Sequence, residues 1–186
     1  MVLLEHKKLV YIDIPKTGSS SIDKALITFY GGVNYCAPRI FNTHEKHERI
    51  LPEYAKNYSV VTCVRNPYTR AYSFYKFLTA QENIYGNFVN FLNHLIKVKY
   101  FAGKKTLNIN TYILFNQHSY LYNTNYSYVI KFENLEEDFF KIFGHKNFIF
   151  PREKVLNYKK REFTDEEKNL IVEWAEEDFN IFGYEK

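Results

Sequence analysis

Lys16, Thr17, Gly18, Ser19, Ser20 and Ser21 follow directly on the apolar run Leu9-Val10-Tyr11-Ile12-Asp13-Ile14, which stops at Pro15. The run is rich in β-branched residues and reads as a strand buried on both faces. Behind the serines, Ile22, Ala25, Leu26 and Phe29 recur at helical spacing, and Gly31-Gly32 ends the helix. A strand, a tight loop and a helix make an anion site. The backbone N–H groups of Thr17 to Ser21 are expected to face outward, and the helix dipole favours negative charge. Lys16 adds a full positive charge, the serines add hydroxyl donors, and Gly18 allows close approach of a phosphate. The nucleoside-triphosphatase loop differs, with Lys after a glycine and a hydroxyl for magnesium. A Ser-capped helix after a proline turn is the plain structural alternative.

A second basic segment, Arg65-Asn66-Pro67-Tyr68-Thr69-Arg70-Ala71-Tyr72-Ser73, follows the apolar run Ser59 to Val64. If both runs are parallel strands, Arg65 leaves the sheet on the same edge as the first loop. Its forked, permanently charged guanidinium suits phosphate. Pro67 fits the first turn of a helix, which puts Ser73 about two turns in. An ordinary ion pair between Arg65 and a helix carboxylate stays open as the alternative.

The elements that must position these segments alternate between strand and helix. Tyr128 to Phe132 reads as a third strand. His44 to about Asn57 reads as a helix interrupted near Pro52, and further helices are expected around Tyr68–Tyr75, Phe88–Ile96 and Leu135–Phe143. Thr164-Asp165-Glu166-Glu167 spells a capping box opening a last helix that buries Leu170, Ile171 and Trp174. Tyr112 to Phe115 with Tyr120 to Tyr122 could pack as another. The expected class is α/β: a three-layer, P-loop-like fold whose central, mostly parallel sheet is flanked by helices.

Composition sets outer bounds. The 186 residues fit a single domain over 1–186. A formal net charge of +4 suits an anionic small ligand and is too small to suggest a nucleic-acid partner. Cys36 and Cys63 lack metal-ligand spacing and are too few for a disulfide framework; Cys63 reads as a buried free thiol. No metal is expected. No stretch approaches the ~20 apolar residues of a membrane span, and Met1 to Lys8 lacks a signal-peptide core. A cytoplasmic protein is the expectation, with oligomeric state open.

Taken together, Pro15-Lys16-Thr17-Gly18-Ser19 and Arg65-Asn66-Pro67-Tyr68-x-Arg70-x-x-Ser73 resemble the two signatures that bind 3′-phosphoadenosine 5′-phosphosulfate (PAPS) in the sulfotransferase superfamily. The form is most similar to the carbohydrate branch. The likeness continues through Gln117, Lys131-Phe132-Glu133-Asn134-Leu135 and Asp138-Phe139 to Asp178-Phe179 and Phe182-Gly183-Tyr184. It implies PAPS as donor, adenosine 3′,5′-bisphosphate (PAP) as product and a hydroxyl-bearing acceptor, a glycan first among candidates. It further implies that Lys16, Thr17, Gly18, Ser19, Ser20 and Ser21 grip the 5′-phosphosulfate, Lys16 also serving catalysis, while Arg65 and Ser73 hold the 3′-phosphate.

The resemblance implies a histidine base as well, and Thr43-His44 with Ile50 fits its pattern better than His47. Both histidines stand among Glu45, Lys46, Glu48 and Arg49, so two surface histidines are the alternative; His47 then at most touches the acceptor. Lys159, Lys160 and Arg161 could close over the 3′-phosphate, as a loop near the carboxyl end does in many relatives, or form a solvated charge cluster. Gln117 and His118 are candidate acceptor contacts. A kinase would use a related strand–loop–helix site but should show the glycine and Lys-Ser/Thr that this loop lacks. A non-catalytic nucleotide-binding module would keep the anion sites without a base.

Overall fold

Strands apolar on both faces are stable only where neighbours cover both, and the computed structural model shows how this chain does it. It describes residues 1–35, 39–41, 47–49, 51–80, 85–101, 115–121, 124–153 and 161–186. Seven strands are described: β1 (Val2–Leu4), β2 (Leu9–Ile12), β3 (Val33–Asn34), β4 (Arg39–Phe41), β5 (His47–Arg49), β6 (Ser59–Val64) and β7 (Tyr126–Lys131). The helices are α1 (Ser19–Tyr30), α2 (Pro67–Thr79), α3 (Phe88–Phe101), α4 (Leu135–Phe143) and α5 (Asp165–Phe182). Five strands form one sheet in the order β3-β1-β2-β6-β7, and β4 pairs with β5 separately.

The three strands expected from the sequence form the parallel part of the sheet. β2 runs alongside β6, with Ile12 opposite Thr62, and β6 alongside β7, with Val64 opposite Lys131. β1 and β3 add an antiparallel edge. These two strands are too short, at three and two residues, for their alternation to be read from sequence. Pairing with β2 and β1 is what makes them strands.

The chain divides into two compact units. The first comprises Met1–Ile40, Glu48–Arg65 and Asn123–Val155 and contains the five-stranded sheet. One face of the sheet (Val2, Leu4, Tyr11, Val61, Cys63, Ile130) shares a core with Ile22, Ala25 and Leu26 of α1 and Phe139 and Phe143 of α4. The residues of opposite parity, Leu3, Val10, Ile12, Val60 and Val64, are buried too. Burial of alternate apolar residues on both faces fixes the strand register, since a one-residue slip would exchange the faces.

The second unit comprises Phe41–His47, Asn66–Tyr122 and Leu156–Lys186, and α2, α3 and α5 pack against one another in it. Asn66 caps α2 by accepting from the N–H groups of Tyr68 and Thr69, and Pro67 occupies the first turn as expected. α5 opens on the expected capping box: Thr164 Oγ1 accepts from Glu167 N, and the Glu167 carboxylate accepts from Thr164 N. α5 buries Ile171 and Trp174, whereas Leu170 is half-buried.

Among the described residues of the expected helix from His44 to Asn57, none is α-helical. His47–Arg49 is a strand, and only a turn of 3-10 helix at Glu53–Ala55 precedes β6. Pro52 takes an extended backbone as the cap of that turn, and pairing with β4 holds β5 in a way no local pattern announces. Likewise, of the expected helix around 112–122, a short 3-10 turn covers His118–Leu121, and residues 112–114 and 122 lie outside the described residues.

Candidate anion-binding site

Parallel pairing of β2, β6 and β7 delivers three segments to one carboxyl edge of the sheet: the loop after Ile12, Arg65 after Val64, and Phe132 after Lys131. This is the edge at which open α/β sheets bind ligands.

The loop is held from behind by its carbonyls. Thr17 Oγ1 donates to Ile14 O at 2.8 Å, and Cys63 Sγ donates to Thr17 O at 3.0 Å. Arg65 Nη1 donates to Lys16 O at 3.3 Å. Just beneath, Thr62 Oγ1 donates to Ile12 O at 3.0 Å. Burial pushes the Cys63 thiol well above its ordinary value, so it keeps its proton and remains a donor. These bonds fix which way the peptide planes turn. They bring Arg65 onto the loop, in agreement with the shared-edge argument.

Two loop residues take left-handed backbone, Lys16 at φ 69° and Gly18 at φ 83°. Gly18 has a second constraint, because a Cβ there would lie 3.0 Å from Phe132 Cδ2 and 3.4 Å from Leu135 Cδ2. Gly18 also stands at the N-cap of α1 without a side-chain cap. The N–H groups of Ser19 and Ser20 have no carbonyl to reach within the helix, which leaves them suited to an anion. Ser21 departs from the expectation. Its N–H donates to Gly18 O at 3.0 Å, and its buried hydroxyl accepts from Glu153 N at 3.0 Å. The hydroxyl thus anchors the 150–153 segment, an anchor reinforced by Lys24 Nζ to Glu153 Oε1 at 2.6 Å. Thr17 is fully buried and turns its side chain inward, so backbone alone is what it presents to a ligand.

Gly18→Ala is expected to cost about 1–3 kcal/mol, because a side chain must adopt left-handed backbone and displace the Phe132 ring. A lowered urea midpoint at unchanged slope checks this.

In the second unit, Ser73 is buried on the face of α2 that also buries Pro67, Arg70, Ala71 and Phe74. Arg161 pairs with Glu167, and its guanidinium lies over the rings of Tyr72, Phe88 and Phe163 at 5.0, 5.2 and 5.2 Å. It is therefore seated in an aromatic cluster rather than a solvated charge run. Gln117 is fully buried, and both its N–H and its Nε2 donate to Asp178 Oδ2, at 2.8 and 3.2 Å. Its side chain serves the packing of this unit. His118 is half-buried and its N–H donates to Asp178 Oδ1 at 2.8 Å. His44, Lys159 and Lys160 lie outside the described residues, and His47 is described only as backbone of β5.

Sequence reasoning missed the parts played by Cys63 and Phe132. Cys63 was legible as a buried thiol, but its bond to Thr17 O spans 46 positions in the chain. Phe132 lies in the Lys131–Leu135 segment, where sequence alone assigns it no role.

A mostly parallel α/β sheet whose first loop is braced at a helix N-terminus and joined by an arginine from the next strand defines a phosphate-binding class of protein. The chain belongs to the sulfotransferase family, whose profile matches residues 1–185. It is an enzyme of sulfuryl transfer. No curated protein and no solved structure matches the chain. Among the described residues, no helix is long and apolar enough to cross a membrane.

Proposed function

We propose that this enzyme transfers the sulfuryl group of PAPS to an acceptor hydroxyl, with a carbohydrate as the favoured acceptor, and releases PAP. The observation that carries this reading is the bond from Arg65 to Lys16 O, which sets the arginine against the first loop within one unit. The donor set fits a phosphosulfate: uncapped N–H groups at Ser19 and Ser20, the Lys16 ammonium, and a glycine with no room for a side chain. The two compact units are taken as parts of one sulfotransferase domain over 1–186, in line with the extent of the family match. A cytoplasmic location belongs to the same proposal.

When bound, PAPS supplies an electrophilic sulfur and a bisphosphate leaving group. Lys16 and the first turn of α1 stabilise the negative charge that grows on the leaving side, an electrostatic task that depends on preorganisation. Arg65 and Ser73 anchor the 3′-phosphate, assisted by Lys159 and Lys160. His44 takes the proton from the acceptor hydroxyl, a role suited to a neutral imidazole near pH 7. His47 and His118 are secondary candidates for acceptor contacts.

The test is ligand-dependent thermal stability together with turnover. PAP should raise the melting temperature far more than ATP with magnesium. His44→Ala should keep that shift and lose turnover onto a glycan pool. A larger shift with magnesium–ATP would replace the reading with a kinase. Full turnover in His44→Ala would remove His44 as the base.

A further inference from the structure

Phe132 sits where β7 runs out at the carboxyl edge, and two pieces of the anion site meet on its ring. The Arg65 guanidinium carbon lies 4.2 Å from the ring centroid, a cation–π contact. The Gly18 backbone also approaches the ring closely enough that a Cβ would come to 3.0 and 3.1 Å from its edge atoms. The backbone that leads into Phe132 is itself fixed. Lys131 pairs in register with Val64, and Lys131 N donates to Asp138 Oδ2 of α4 at 2.9 Å, which ties the end of β7 to the next helix. Phe132 thus borders both the arginine and the loop glycine, while Arg65 separately bonds Lys16 O.

We infer that Phe132 is a positioning residue of the anion site: its ring sets the Arg65 guanidinium against the Lys16–Gly18 loop, so that arginine and loop engage one anionic ligand together. The inference rests on the proposed PAPS reading. A long, flexible guanidinium loses rotamer freedom when it binds, and a ring that already restrains it reduces that loss. An aliphatic residue of similar volume keeps the packing against Gly18 but offers no π face to the cation.

The experiment is a double-mutant cycle on PAP affinity, measured by calorimetry, with folding checked by circular dichroism. Phe132→Leu should weaken PAP binding about tenfold in the otherwise unchanged protein. In an Arg65→Ala background the same change should matter less than about twofold. Phe132→Tyr, which keeps the aromatic face, should stay within about twofold of the parent. An equal loss with and without Arg65 would overturn the inference, because the ring would then act on the nucleotide or the fold directly. No PAP binding by the unaltered protein would overturn the PAPS reading and this inference with it. Should Phe132→Leu fail to fold, Phe132→Met runs the same cycle with the same outcomes.

Discussion

Lys16→Ala is expected to lower kcat/KM for sulfuryl transfer by about 10²–10³-fold, the usual loss when one preorganised electrostatic donor is removed. The melting temperature should hardly change. Lys16 is half-buried, and the bond that its carbonyl accepts from Arg65 survives the substitution. The left-handed backbone at Lys16 is as strained for Ala as for Lys, so the backbone cost cancels. Lys16→Arg should recover little, because a planar fork does not reproduce a compact ammonium on a flexible stem. Steady-state kinetics beside thermal unfolding makes the check. A large loss of stability would instead assign Lys16 to the fold.

Asp178→Ala should have the largest effect on stability, about 3–5 kcal/mol, because each buried donor left without its acceptor costs about 1–3 kcal/mol. Asp178 is fully buried on α5, and its oxygens accept from Gln117 N, Gln117 Nε2 and His118 N. Arg70 is also fully buried, donates to Phe115 O at 3.0 Å and lies over the rings of Phe74 and Trp174. Truncation strands the backbone donors and removes a negative charge from the surroundings of Arg70. Urea unfolding measures the loss.

A pH signature accompanies it. Burial raises the Asp178 carboxyl above its ordinary value, against the lowering influence of Arg70 and the Gln117 and His118 donors. The native state therefore holds its proton to higher pH than the unfolded chain does. This group's contribution to stability is full below the unfolded value of about 3.9 and falls as pH rises toward the native one. Asp178→Asn, which has no proton to lose, should lack that decline.

Much of the site was legible because its signals are local. Lys16 through Ser20 announce a loop at a helix start through residue types alone, and Asn66-Pro67 and Thr164 to Glu167 each specify a helix beginning within four residues. β2 and β6 were legible because burial on both faces leaves a continuous apolar run, whereas β7 lies at the sheet edge and was read from its Tyr128 to Phe132 run.

What stayed hidden depends on partners distant in the chain. β1, β3 and β5 are strands only because neighbours complete their hydrogen bonds, and at His47–Arg49 pairing overrode the expected helix. Ser21 looked like a ligand for an anion, yet its hydroxyl meets Glu153, 132 positions away. Gln117 looked like an acceptor contact until Asp178 took its amide. By itself, then, the sequence determined the chemistry on offer: a cation, a glycine and serines after one strand, an arginine after the next. Tertiary structure alone decided which groups face a ligand and which are used in holding the loop, because a side chain's one set of hydrogen bonds goes to whatever the folded chain brings beside it.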